Sequence, residues 1–79
     1  MSKRTRPVCR FPNIERWMDE HGVTRRELAR RMDVTPNTVY LTLSGRTDPR
    51  FFTINAVLRV TGMDYKEAFK EADGWNGTI

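Results

Sequence analysis

Apolar residues recur along this chain at intervals of three and four, in short blocks, and nowhere alternate strictly with polar ones. That period predicts helices and no strands. Ile14, Trp17, Met18 and His21 share one face of a first helix, which starts after Pro12 with Asn13 as its expected cap and stops at Gly22. The second opens on Thr24-Arg25-Arg26-Glu27, a capping box in which the threonine hydroxyl takes the Glu27 amide and the glutamate reaches back, unless it pairs with Arg30 or Arg31 on a solvated face. Leu28, Ala29 and Met32 form its buried stripe, Asp33 ends it, and Val34 is the apolar residue inside the following turn. The third begins at Thr35-Pro36, because a residue before proline is pushed to the extended geometry of an N-cap and proline suits the first helical position. Gly45 ends it. A fourth helix places Ile54, Val57, Leu58 and Thr61 on one face and stops at Gly62. The fifth opens on Asp64 with Glu67, a second box-like pair, and runs through Ala68 and Phe69. Trp17 and Phe69 are expected in the core.

The chain therefore reads as all-α, with a basic arm over 1–12, a five-helix domain over 13–71 and a frayed tail over 72–79. Seventy-nine residues suit a single domain. A domain of this size buries roughly 60% of the surface its unfolded chain exposes, which favours a binding module over an enzyme with a deep cleft. No paired carboxylates, nucleophile with a base, or phosphate loop points to catalysis. No cofactor or small-molecule ligand is expected. His21 is a lone histidine near a helix end, where it suits the C-terminal dipole; with no companion ligands it makes no metal site. Cys9 stands alone, so no disulfide framework is expected and a reducing cytoplasm fits. It is expected to be inert or weakly reactive in a mobile segment. No stretch is long and apolar enough to span a membrane, and the basic start lacks the apolar run of a secretory signal.

Charge sharpens the picture. Through Arg50 there are 11 Lys and Arg against 6 Asp and Glu; from Phe51 onward there are 3 against 4. A one-sided excess, mostly arginine, suits a polyanion, because the planar guanidinium donates bidentately to phosphate and guanine.

The segment 24–45 concentrates this chemistry. Two short helices joined by Asp33-Val34-Thr35, with the second set to start sharply, are the parts of a helix-turn-helix. Leu28, Met32, Val34 and inward-facing Val39 would fix the angle between them, with small Ala29 at the crossing. The outer face of the second helix is then Asn37, Tyr40, Leu41 and Ser44, with no charge among them. An amide can bond adenine bidentately and an apolar tip can touch a thymine methyl. Arg25, Arg26, Arg46 and Arg50 sit to the sides, where phosphates would lie, so groups that position are separated from groups that specify. Leu41 could equally turn toward the core.

From about Ile14 to Phe69 the chain resembles the lambda-repressor-like family of phage Cro and CI proteins and their bacterial relatives. The matching residues are Leu28-Ala29, Met32, Val34, Val39 and Gly45, followed by Arg46-Thr47-Asp48-Pro49-Arg50-Phe51. The resemblance implies a compact five-helix DNA-binding fold whose helix after the turn enters the major groove. It makes Thr35, Pro36, Asn37, Thr38, Tyr40 and Leu41 the base readers. It puts Thr24, Arg25, Arg26, Ser44, Arg46 and Arg50 on phosphates. The pattern departs at Asp33, where the turn usually has glycine, and at Pro36, which replaces a side chain that often contacts DNA. Thr42, Leu43 and Thr61 also fall where other types are usual.

Two further features are expectations only. Phe51, Phe52 and Trp75 exceed what one small core can hide, so a homodimer interface is expected there, matched to two half-sites about one helical turn apart. The arm from Arg4 to Arg10 either reaches a minor groove or backbone or carries no structure. The expected function is a cytoplasmic, sequence-specific repressor that binds a double-stranded DNA operator and is regulated by concentration and dimerisation. An antitoxin-like or other protein-interaction module on the same fold is the alternative, in which the 1–12 arm or the tail would meet the partner.

Overall fold

The computed structural model describes residues 9–73 and Trp75, and shows five helices and no strand among them. They are α1 (Pro12–His21), α2 (Arg25–Met32), α3 (Pro36–Ser44), α4 (Phe51–Thr61) and α5 (Tyr65–Ala68). α2 packs against α3 and α4, and α1 against α3 and α5. Ile14, Leu28 and Val57, one from each of α1, α2 and α4, are the largest fully buried side chains. Met18, Met32, Val39, Leu43 and Phe69 close the core around them, and Phe11 meets Phe69 edge to face at 5.0 Å. Trp17 is half-buried against this cluster and stacks on His21, with ring centroids 4.3 Å apart.

Punctuation set most boundaries. Thr24 and Thr35 are both extended and both accept the amide three residues on, at Glu27 and Thr38. This satisfies donors that have no partner inside the helix. Three details differ from the expectation. Asn13 does not cap α1: Phe11 is the N-cap, and the Asn13 amide donates to the Glu67 carbonyl at 2.8 Å, tying α1 to α5. Glu27 does not reach back to Thr24, because Arg30 and Arg31 take its carboxylate. Asp64 makes no side-chain cap, and α5 ends at Ala68, with Phe69 as its C-cap.

The chain start is also more ordered than expected. Phe11 is buried in the core, and Cys9 packs on it. Burial, then the nearby Glu15 carboxylate, pushes the Cys9 thiol up to about 11. The Arg10 amide donates to the Leu43 carbonyl at 2.7 Å, and the Ala72 amide donates to the Arg10 carbonyl at 2.9 Å. Residues 9–12 and Ala72 thus belong with the helices rather than with arm and tail. The rest of the expected arm, with Arg4 and Arg6, lies outside the described residues.

The unusual residues find local accommodation. Asp33 is left-handed at φ 63°, so the turn bends where glycine would otherwise stand. The Val34 amide then closes onto the Ala29 carbonyl at 2.9 Å, and its side chain rests on the core. Thr42 and Leu43 are both buried in the inner face of α3. The Thr61 hydroxyl donates to the Val57 carbonyl at 2.7 Å and accepts from the Met63 amide.

Candidate nucleic-acid interface

α3 is held on its inner side by Val39, Thr42 and Leu43, which are all buried. A helix anchored at those positions turns the opposite stripe outward. Pro36, Asn37 and Tyr40 are exposed; Thr38, Leu41 and Ser44 are half-buried along its edges. Among the described residues no hydrogen bond or ring contact engages the side chain of Asn37 or Tyr40. The two threonines at the start of α3 are committed to each other: their hydroxyls lie 3.0 Å apart, and Thr35 also accepts the Thr38 amide. The Ser44 hydroxyl donates to the Leu41 carbonyl at 3.3 Å.

Leu41 borders an open groove of about 210 Å³ that Thr38, Thr47, Pro49, Arg50 and Phe52 also line. It is therefore neither sealed in the core nor fully free. The groove separates α3 from the start of α4, where Arg50 is the N-cap. Next to it Phe51 and Phe52 are 78% and 58% exposed. Trp75 lies elsewhere: its indole rests on Gly45, with the Arg10 guanidinium 6.0 Å from its ring.

The arginines divide into two groups. Arg30 and Arg31 both bind Glu27, and these hydrogen bonds hold its carboxyl below the usual carboxylate range, with Arg30 the larger cause. This is the local pairing that a solvated helix face makes. Arg26, Arg46 and Arg50 are exposed and make no ion pair among the described residues, and Arg25 only reaches Glu15 at 3.9 Å. Thr24, Arg25 and Arg26 stand at the N-terminus of α2, where backbone amides without helical partners favour an anion.

One contributor has no local signature. Arg10 bonds Asp48 and Glu71, 38 and 61 residues away in sequence. Nothing in the spacing of those residues announces the contact.

A two-helix unit with a left-handed turn, and a second helix that presents an uncharged polar face, matches a known domain. The model of the helix-turn-helix domain family matches residues 9–68. The chain belongs to that family. The likeness to lambda-repressor-like proteins, carried by Leu28-Ala29, Val34, Val39 and Gly45, agrees with it. Solved structures of this helix-turn-helix fold include the clp gene regulator ClgR from Corynebacterium glutamicum. It is 23% identical at a TM-score of 0.62, covering 71% of this chain and 60% of that one. A transcriptional regulator from Listeria innocua is 24% identical at 0.66, covering 82% and 62%. The SOS-response transcriptional repressor LexA from Eubacterium rectale is 18% identical at 0.67, covering 86% and 72%. The helix-turn-helix chain thus spans about three-fifths of the first two, and at these identities the likeness establishes the fold. No curated protein matches the sequence significantly. Among the described residues, no helix is long and apolar enough to cross a membrane, and no cluster of ligating side chains could hold a metal ion.

Proposed function

We propose that this chain is a sequence-specific DNA-binding regulator of transcription, a repressor of the phage or prophage type that lays α3 in the major groove of operator DNA. The observation that carries the reading is the outward stripe of α3. A solvent-facing helix ordinarily shows Glu and Lys, whereas here Asn37 and Tyr40 stand free with no charge between them. Base edges are read by such groups. Thr35, Pro36, Thr38 and Leu41 flank them along the same helix. Thr35 and Thr38, already bonded to each other, offer the bases their methyls and remaining hydroxyl capacity.

Phosphates meet the rim: Thr24, Arg25 and Arg26 at the start of α2, and Ser44, Arg46 and Arg50 at the far end of α3 and beyond. Family, fold and the surplus of positive charge before Arg50 support this division. The regulator names carried by the three structural relatives point the same way. Phe51 and Phe52 are the surface through which two copies pair on a two-half-site operator, their exposure being more than a lone small domain needs.

The test is competition between the DNA upstream of the protein's own gene and unrelated DNA of equal length. Wild type prefers the upstream DNA, and Asn37→Ala erases the preference while leaving binding to unrelated DNA. Equal binding to both by wild type contradicts sequence-specific regulation.

A further inference from the structure

Arg10 gathers four parts of the chain. Its amide donates to the carbonyl of Leu43, in the last turn of α3, and its carbonyl receives Ala72 from the chain end. Nε and Nη2 donate to one oxygen of Glu71, at 3.0 and 2.7 Å, while Nη1 donates to Asp48 at 2.7 Å. The guanidinium carbon lies 4.9 Å from the Phe11 ring and 6.0 Å from that of Trp75. All this leaves the side chain 18% exposed.

Two consequences follow from the chemistry. The last four carbonyls of a helix lack intrahelical partners, so the Arg10 amide closes one of them at the end of α3. Asp48 stands in sequence between Arg46 and Arg50 with its side chain 86% exposed. An anion at that place repels the phosphates those arginines are proposed to meet. Arg10 is poorly placed to meet phosphate itself, since three of its five N–H donors go to carboxylates and little of its side chain reaches solvent.

We propose that Arg10 is a positioning residue of the DNA-binding surface. Its guanidinium cancels the Asp48 carboxylate, so that Arg46 and Arg50 face phosphate unopposed, while its bonds to Glu71 fasten the segment after α5 to the fold. The inference rests on the DNA-binding reading above.

Four proteins test it, wild type, Arg10→Gln, Asp48→Asn and the double variant, each assayed for DNA affinity across a salt series and for thermal melting. Arg10→Gln is expected to lose about tenfold in affinity at low salt, the scale of one uncompensated charge a few ångströms from phosphate near a protein surface. The loss shrinks as salt rises. Adding Asp48→Asn restores most of the affinity but leaves the melting temperature where Arg10→Gln put it, because the clasp to Glu71 is still gone. Arg10→Lys gives up the fork onto Glu71 and melts lower, but it keeps a cation beside Asp48 and so binds within about twofold of wild type, the Coulomb term being what the affinity reads. Should Arg10→Gln not fold, the lysine variant carries the test through its affinity alone. The proposal is overturned if the double variant binds no better than Arg10→Gln, or if Arg10→Lys loses as much as Arg10→Gln. Wild type that binds no DNA defeats the functional reading and this inference together; wild type that binds while Arg10→Gln is unaffected defeats only the clasp.

Discussion

The Trp75 indole rests on Gly45 so closely that a β-carbon at Gly45 would stand 2.4 Å from its Cη2 and Cζ2 atoms. Gly45 is also left-handed, at φ 82°, where it ends α3. Gly45→Ala therefore meets two obstacles, backbone strain and a displaced indole, and is expected to destabilise by on the order of 2–3 kcal/mol. Gly22 has a similar φ of 64° but nothing within 4 Å of a β-carbon. Gly22→Ala should cost only the backbone term, about 1 kcal/mol. Urea unfolding monitored by tryptophan fluorescence compares them, and equal losses would contradict the Trp75 contact.

The division of the arginines has a measurable consequence. Arg25 reaches only a distant Glu15, whereas Arg31 is bound to Glu27 at 2.9 Å. Arg25→Ala should weaken binding to all DNA alike and lower the salt slope by about 1, the signature of one lost phosphate contact. Arg31→Ala should leave the slope nearly unchanged. Fluorescence anisotropy with labelled duplex over a range of salt concentrations separates the two, and matching slopes for both variants would refute the division.

Phe51 and Phe52 test the proposed pairing without threatening the fold, since both are largely exposed. Phe51→Ser with Phe52→Ser should melt within a few degrees of wild type, surface changes being worth about 0.5 kcal/mol or less. Wild type should sediment as a dimer, and this variant as a monomer at the same concentration. Unchanged self-association would place the contact elsewhere.

Cys9 gives a pH-dependent prediction. Burial first, and then Glu15, raise the thiol from its ordinary 9.0 to about 11, so the folded state holds the proton more tightly than the unfolded chain. The resulting stabilisation is complete below 9.0 and is lost as pH climbs from there through about 11. Relative to Cys9→Ala, wild type should lose stability over that window and not below it. Iodoacetamide should also alkylate native Cys9 more slowly than the urea-unfolded chain at the same pH.

What could be read from the sequence was what local rules control. Thr24, Thr35-Pro36, Gly22, Gly45 and Gly62 mark ends that depend on a few neighbouring backbone groups, and each was found as expected. The outward placement of Asn37 and Tyr40 was legible too, because inward-facing Val39 fixes which side of α3 meets the core, whereas Leu41 and Ser44 of the same expected face lie half-buried along its edge. Local rules failed where a distant partner outbid the near one. Asn13 turned to the Glu67 carbonyl, 54 residues away, whereas Glu27 chose among near partners and took the local pairing with Arg30 and Arg31 that its spacing also offered. Arg10 and Cys9 looked like parts of an arm because their partners lie far along the chain or inside the core. Trp75, grouped by composition with Phe51 and Phe52, sits against Gly45, a contact between residues 30 apart that no short-range pattern encodes.

Backbone amide shifts, recorded while duplex from upstream of the gene is titrated into the protein, show whether the outer stripe of α3 reads DNA. The largest changes should fall on Thr35 to Leu41, with a second set at Thr24 to Arg26. Changes confined to the region of Phe51 and Phe52, or none at all at low salt, would contradict that reading and mark the helix-turn-helix as a platform for another partner.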